Sequence, residues 1–154
     1  MLQVALYEPE IPPNTGNIMR LCANTGCPLH LIRPLGFSLD EKQLRRAGLD
    51  YRDFVDVREH DSLKAMLLAL GEPRVWTLST RGSRSYTEVS YASNDLLLFG
   101  PETRGLPQQV IDDLGPRNCL RIPMRADSRS INLSNATALV LYEGLRQLGF
   151  PGMA

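Results

Sequence analysis

Three polar stretches carry the side chains that could do chemistry in this sequence. The first, N-T-G-N-I-M-R, occupies residues 14–20, the second, G-P-E-T-R-G, occupies 100–105, and the third, S-R-S-I-N-L-S-N, occupies 128–135. Each follows an apolar run, and backbone amides at the start of a helix attract anions and polar ligands. Helix capping alone would explain Asn14 and Ser130, but it would not explain three polar clusters that follow three apolar runs.

Several common catalytic chemistries have no residues to support them. His30 lies inside an apolar run and is predicted to be packed or hydrogen-bonded, whereas His60, beside Asp61, is predicted to lie in a solvated turn. The sequence has no serine elbow, metal-ligand cluster or suitably placed carboxylate pair, so it disfavours a hydrolase or metalloenzyme, and we expect no metal. Segment 100–105 lacks the glycine spacing of NAD-binding turns and the lysine of ATP-binding loops.

The elements that must hold these stretches alternate between strand and helix. Apolar, partly β-branched runs predict strands at 4–7, 29–32, 54–57, 75–78, 96–99 and 119–122. Capping residues and glycines predict helices at 14–25, 62–70 and 131–148, and Pro107 can open another that exposes Asp112 and Asp113. The alternation indicates an α/β fold with a mainly parallel sheet flanked by helices. Ligands of such sheets bind beyond the carboxyl ends of the strands, where the polar stretches lie.

The last predicted helix is apolar nearly all round in its first half. Its apolar side chains are Leu133, Ala136, Ala138, Leu139, Val140, Leu141 and Tyr142. One sheet cannot cover every side of such a helix, so a further surface must bury the remainder. From the pattern alone, a second subunit and loops of the same chain are equally good candidates for that surface.

Composition limits the partners and the compartment. The 154 residues, 43% of them hydrophobic, are the length of one domain with a full core. The 17 basic and 17 acidic residues cancel, so any RNA contact must be local. The three cysteines lack metal-site or redox spacing, which predicts reduced, packed thiols. With no basic leader and no membrane-spanning run, we expect a cytoplasmic protein.

The polar stretches together resemble a known family. Three parts of the sequence resemble the three motifs of the SPOUT-class RNA methyltransferases. They are N-x-G-N-x-x-R at 14–20, F-G-P-E-x-x-G-L-P at 99–107, and I-P-M at 122–124 together with S-I-N-L-S at 130–134. Two further segments are similar to signatures of the small tRNA (cytidine/uridine-34) 2′-O-methyltransferases. They are L-Y-E-P-E-I-P-P-N-T-G-N at 6–17 and A-D-S-R-S at 126–130. The resemblance covers essentially the whole chain.

This resemblance implies both a fold and a reaction. The fold is the SPOUT, or α/β-knot, fold, in which the C-terminal segment threads a loop to form a deep trefoil knot. The resemblance further implies a single domain over 1–154 without a separate RNA-binding domain, and a homodimer packed through the first and last helices. The reaction is methylation of the ribose 2′-hydroxyl of the wobble nucleotide, C34 or modified U34, in the tRNA anticodon, with S-adenosylmethionine as cofactor and leucine isoacceptors as the implied substrates.

The resemblance also assigns roles to residues. The cofactor site comprises Leu78, Gly100, Glu102, Gly105, Ile122, Met124, Ser130 and Ile131. Glu102 could alternatively contact a partner subunit or clamp an arginine. Arg20 is the catalytic residue, and because a guanidinium stays protonated it is expected to orient an RNA phosphate and stabilise oxyanion charge rather than act as a base.

Substrate contacts are assigned to polar side chains near these motifs. They are Asn17, Arg45, Arg46, Arg81, Arg84, Arg125, Arg129, Ser134 and Asn135. Arginines on polar segments can follow a phosphate backbone while the protein stays neutral overall. Two alternatives stay open, because motifs around a cofactor do not identify the substrate. One is methylation of another RNA position, and the other is a knotted RNA-binding protein without catalysis.

Overall fold

The computed structural model describes residues 1–38 and 56–154. The strands in these ranges are β1 (Gln3–Tyr7), β2 (Leu29–Ile32), β3 (Val57–His60), β4 (Val75–Leu78), β5 (Arg84–Ser85), β6 (Leu96–Phe99) and β7 (Cys119–Arg121). The helices are α1 (Pro12–Thr25), α2 (Leu63–Ala69), α3 (Gln108–Leu114) and α4 (Leu133–Gln147). None of these helices is long and apolar enough to cross a bilayer.

One parallel sheet contains all of these strands, in the order β3-β2-β1-β6-β4-β7-β5. Every residue of β2, β4 and β6 is buried, as is typical of parallel strands covered on both faces. Along β1, Val4 and Leu6 belong to one apolar cluster and Ala5 to the other. The predicted α/β sheet flanked by helices is therefore confirmed.

The two faces of the sheet carry different helices. Helices α1 and α4 pack on the first face through residues such as Ile18, Cys22 and Leu141, while α2 and α3 pack on the second through Met66 and Ile111. The cysteines Cys22, Cys27 and Cys119 are buried and free, as predicted. Burial raises the pKa of the Cys22 thiol, so this residue behaves as a core side chain.

The helix ends differ from the simplest capping interpretation. Helix α1 begins at Pro12, with prolines in its first turn, and Asn14 is buried inside it. The cap of α4 is Asn132, whose side chain accepts hydrogen bonds from the amides of Ser134 and Asn135. Capping therefore explains neither Asn14 nor Ser130. The predicted cap of α2 is confirmed, because the Ser62 side chain accepts a hydrogen bond from the Ala65 amide.

Two strands depart from the prediction. The third strand was predicted at 54–57, but residues 54 and 55 lie outside the described ranges and β3 continues to His60. Its sequence V-R-E-H is polar because β3 is an outer strand of the sheet with exposed positions. The two-residue β5 was not predicted, since so short a run has no periodicity to detect.

Strand β7 lies between two strands that are close in sequence. It pairs with β4 on one side and with β5 on the other, although β4 and β5 are joined by residues 79–83 alone. That loop packs tightly against β7, because a Cβ on Gly82 would come within 2.3 Å of the Leu120 carbonyl carbon. A C-terminal strand inserted beneath an earlier loop is what a knot requires, and the trefoil knot itself stays a prediction.

Helix α4 retains exposed apolar side chains after folding. Val140, Leu141 and Leu145 are buried against the sheet, but Leu139 and Tyr142 are 44% and 40% exposed. The Tyr142 ring lies 6.3 Å from that of Phe150, which is itself 38% exposed. Loops among the described residues therefore do not bury the outer face of this helix.

The two histidines form a pair across neighbouring strands. His30 Nδ1 lies 2.9 Å from His60 Nε2, and His30 Nε2 lies 3.0 Å from the Gln3 side-chain oxygen. The predicted burial of His30 is confirmed, whereas the solvated turn predicted for His60 is wrong, because this residue ends β3 and faces His30. Burial, together with the charges of His60 and Arg58, lowers the pKa of His30 to about 4, with Asp56 opposing that shift.

We expect this pair to make folding stability depend on pH. Because the folded-state pKa of His30 lies below its ordinary value of 6.5, the unfolded chain binds more protons in acid. The contribution is complete above the unfolded pKa and is lost as the pH falls towards about 4. Urea unfolding between pH 7 and pH 5 should show a declining midpoint for the wild type and a flatter profile for His30→Gln. If the urea midpoint changed equally with pH in the two proteins, His30 would not be the source of the pH dependence.

Candidate active site

A cavity of about 680 Å³ opens beyond the carboxyl ends of β4, β6 and β7. Its wall is built by the loop after Leu78, the loop after Phe99, the segment after Arg121 and the start of α1. All eight residues predicted to hold the cofactor line it: Leu78, Gly100, Glu102, Gly105, Ile122, Met124, Ser130 and Ile131. Folding therefore brings these residues to one site, while their individual contacts with a ligand stay predictions.

The loop after β6 folds back on itself at Gly100. A Cβ on Gly100 would come within 2.3 Å of the Leu106 nitrogen and 2.6 Å of the Gly105 carbonyl carbon. Gly105 has a φ of +69°, in the left-handed region that favours glycine. The two glycines thus allow the loop to turn tightly at the rim, and main-chain atoms form part of the cavity wall.

Glu102 connects this loop to the first helix. Its two carboxylate oxygens accept hydrogen bonds from the Glu10 and Ile11 amides, at 2.8 and 2.7 Å. In return, the Glu10 carboxylate accepts from the Thr103 amide and hydroxyl, at 2.9 and 2.7 Å, and these bonds lower the pKa of Glu10. Among the described residues no arginine pairs with Glu102, whose carboxylate accepts from the amides preceding α1, and its predicted contact with a partner subunit stays a prediction.

Two asparagines extend this connection to the last helix. The Asn132 side chain donates to Asn14 Oδ1 at 3.0 Å, and the Asn14 side chain donates to Glu102 Oε2 at 3.4 Å. Asn132 also accepts from the Ser134 hydroxyl at 2.6 Å, so the predicted substrate contact Ser134 is engaged within the chain. Neither Asn14 nor Asn132 was predicted as a site residue, although both lie inside the polar stretches, and that position was the available signal.

Arg20 and Asn17 lie on the exposed side of α1. They are three residues apart and therefore share one helix face. Asn14, from the same helix, lines the cavity, whereas Arg20 does not belong to the lining. Arg20 follows Asn14 by six residues, which corresponds to about 9 Å along a helix axis. Helix α1 thus begins at the cavity, and the predicted catalytic arginine follows less than two helical turns later.

The predicted RNA-binding arginines have different surroundings. Arg129 lines the cavity, and Arg125 is highly exposed, 3.7 Å from Asp127. Arg81 donates to the Gln108 side chain and the Leu106 carbonyl, while Arg84 donates to the Arg117 carbonyl. Arg45 and Arg46 lie outside the described residues, and the side chain of Asn135 is exposed while its amide binds the Asn132 cap. Within the described ranges, no group of His, Cys, Asp and Glu could hold a metal ion.

Comparison with known proteins decides the family. A family model described as the SpoU rRNA Methylase family matches residues 1–142. The chain belongs to the SpoU rRNA methylase family. A tRNA (cytidine(34)-2′-O)-methyltransferase of Yersinia pestis is 59% identical to it, over 99% of this chain and 97% of the relative.

Solved structures agree with this membership of the SpoU family. One, described as structural insights into the 2-OH methylation of C/U34 on tRNA, is 50% identical with a TM-score of 0.89 and 97% coverage of both chains. An AdoMet-bound rRNA methyltransferase from Sinorhizobium meliloti is 25% identical with a TM-score of 0.82, over 96% of this chain and 56% of that one. The predicted likeness to the SPOUT class and to its tRNA C/U34 group is confirmed.

In this SpoU family member, the hydrogen bonds that Glu102 accepts from the Glu10 and Ile11 amides predict that its replacement lowers the stability of the fold. Replacing Glu102 by Gln turns one acceptor oxygen into an NH₂ group that faces a backbone amide, and hydrogen bonds to a charged group contribute about 1.5–3 kcal/mol. We expect the free energy of unfolding to fall by about 2 kcal/mol. Chemical denaturation would measure it, with exposed Glu88→Gln as control, expected within about 0.5 kcal/mol of wild type. Equal stabilities for the two variants would refute the connection.

Proposed function

We propose that this protein methylates the ribose 2′-hydroxyl of the wobble nucleotide of tRNA, C34 or modified U34, with S-adenosylmethionine as methyl donor. The observation that carries this proposal is the 59% identity, over nearly the full length of both chains, to a tRNA (cytidine(34)-2′-O)-methyltransferase. A second such enzyme, from Escherichia coli strain K12, is 57% identical. Leucine isoacceptors stay the predicted substrates.

The cavity suits the proposed cofactor. Its volume of about 680 Å³ falls within the range of small-molecule sites. Leu78, Ile122 and Ile131 supply apolar walls for an adenine ring, and the tight turn at Gly100 lets main-chain amides and carbonyls approach the ring's polar edge. When bound there, S-adenosylmethionine supplies a methyl group on a positively charged sulfur, which is an excellent leaving group.

Arg20 is proposed to act on the RNA rather than on the cofactor. Its guanidinium stays protonated, so it cannot remove the proton of the ribose hydroxyl, and we propose that the RNA phosphate beside Arg20 accepts that proton. It can instead hold a phosphate with its planar fork and stabilise negative charge that develops on the 2′-oxygen. Asn17, on the same face of α1, would orient the same nucleotide. Correct placement of the reacting groups can itself contribute roughly 7–11 kcal/mol to catalysis.

We infer that a second copy of the chain covers the outer face of α4. The exposed side chains of Leu139, Tyr142 and Phe150 form an apolar surface there, and α1 packs beside α4 in the same protomer. A symmetric dimer would bury these side chains against their own copies. A monomer mass in sedimentation equilibrium would contradict this inference. We further propose that residues 1–154 form one knotted domain that acts on tRNA in the cytoplasm.

The test of the proposed function is a methylation reaction followed by mass spectrometry. Purified protein is incubated with S-adenosylmethionine and total tRNA from a strain that lacks the enzyme, and the nucleosides and anticodon fragments are then analysed. A 2′-O-methyl group at the wobble position is the expected result. A methyl group at another ribose would favour the other RNA substrates. Cofactor binding without methyl transfer to any tRNA would favour a non-catalytic RNA-binding protein.

A further inference from the structure

The described arginines divide into two groups by their partners. Leaving Arg20 aside, six form ion pairs with carboxylates: Arg33, Arg58, Arg74, Arg104, Arg125 and Arg146. The remaining five make no such pair within residues 1–38 and 56–154: Arg81, Arg84, Arg117, Arg121 and Arg129. An exposed guanidinium without a carboxylate neighbour keeps its full charge for an anionic partner.

These five arginines lie on β5, on β7 or on the segments that flank these two strands. Arg81 and Arg129 line the cavity. Arg84 lies on β5, the outermost strand of the sheet, and its guanidinium donates to the Arg117 carbonyl at 3.1 Å. Arg121 pairs in register with Ser85, and its carbonyl accepts from the Tyr86 amide at 2.9 Å. The unpaired arginines thus run from the cavity rim to the edge formed by β5 and β7.

Not all of them have guanidinium groups available for a ligand. Arg81 is engaged with Gln108, and Arg84 donates to the chain and lies 5.8 Å from the Trp76 ring centroid. Arg117 and Arg121 are exposed, and their side chains have no partner among the described residues. We define these two residues as the arginine edge. The Arg84 guanidinium donates hydrogen bonds to the Arg117 carbonyl and so stabilises the main chain of the arginine edge.

We propose that the arginine edge, Arg117 and Arg121, binds phosphates of the tRNA strand that leads into the cavity. This inference rests on the proposed function, because it takes the RNA of that reaction as the ligand. Arg121 immediately precedes Ile122 of the cavity wall, and Arg117 is five residues from Ile122, a span of at most about 18 Å. A protein without net charge needs such a local concentration of arginines to hold a polyanion.

The test measures binding of a tRNA anticodon stem-loop to the full chain over a series of salt concentrations. We compare wild type with Arg117→Gln, Arg121→Gln and the double variant. The matched control is Arg58→Gln, which removes an exposed but ion-paired arginine from the opposite edge strand, β3. Phosphate contacts each contribute about 0.7–0.9 to the slope of log affinity against log salt. The double variant should lose about 1.4–1.8 of that slope, which corresponds to a rise in Kd of about 25- to 60-fold at 0.1 M salt.

Steady-state kinetics distinguish RNA binding by the arginine edge from a structural role of its two arginines. At saturating RNA, kcat of the double variant should stay within about twofold of wild type while KM for RNA rises. Replacement of both arginines by lysine should restore most of the salt slope, because charge is retained. A Kd and slope equal to those of Arg58→Gln would overturn the inference, as would a fall in kcat with unchanged Kd. Wild-type methylation at a nucleotide other than the wobble position would instead refute the proposed function and leave the arginine edge standing.

Discussion

Replacing Arg20 by Ala should reduce methyl transfer at saturating RNA and cofactor by at least about 100-fold. The variant would lose the charged group proposed to hold an RNA phosphate and stabilise the developing oxyanion. Its affinity for S-adenosylmethionine should stay unchanged, because Arg20 does not line the cavity. Single-turnover rates and calorimetric titration of the cofactor would measure the two effects separately.

Two further variants on α1 serve as controls for Arg20→Ala. Asn24 is exposed on α1, one turn further along, so Asn24→Ala should leave both rate and affinity at wild-type values. Arg20→Lys keeps the charge without the planar fork and should retain an intermediate rate. Turnover by Arg20→Ala equal to that of Asn24→Ala would remove Arg20 from the catalytic centre. Loss of cofactor binding would point instead to a structural role.

Replacing Gly100 by Ala should weaken S-adenosylmethionine binding by at least tenfold and lower the free energy of unfolding by about 1–3 kcal/mol. The added Cβ would collide with the Leu106 nitrogen and the Gly105 carbonyl carbon, which are main-chain atoms that cannot rotate away. The loop that lines the cavity would have to open. Isothermal titration and chemical denaturation would measure the two losses.

Gly71→Ala is the matched control for Gly100. Gly71 has a φ of +73°, with no atom within 4 Å of an added Cβ, and it lies after α2, away from the cavity lining. It should lose about 1 kcal/mol from backbone strain and keep full cofactor affinity. If Gly100→Ala also kept that affinity, the cofactor would not depend on the closed form of this loop.

Local patterns in the sequence were sufficient for much of the sheet. The strands predicted at 29–32, 75–78 and 96–99 have the same bounds in the structure, because four-residue apolar runs between turn residues are a short-range signal. The cap at Ser62 and the start of α3 after Pro107 are equally local. The family followed from three short motifs, and the comparisons confirm it.

Contacts between distant residues were beyond such patterns. Asn14 and Asn132 are hydrogen-bonded although 118 residues separate them, and a single asparagine gives no indication of its partner. The polar sequence neighbours of His60 indicate a solvated turn, yet folding brings it to His30, 30 residues earlier. Residue type and polar surroundings predict RNA contacts for Arg81 and Arg84, whereas the structure shows that their guanidinium groups donate within the chain.

The sequence by itself therefore determined the α/β class, the family and the stretches that line the cavity, because these depend on side-chain type and spacing along the chain. Only the tertiary structure decided the sheet order, the insertion of β7 between β4 and β5, and the Glu102–Asn14–Asn132 connection. It also decided which arginines are left without a carboxylate at the β5 and β7 edge. Pairings of this kind depend on which strands and loops become neighbours when the core closes, and that information is spread over the whole chain.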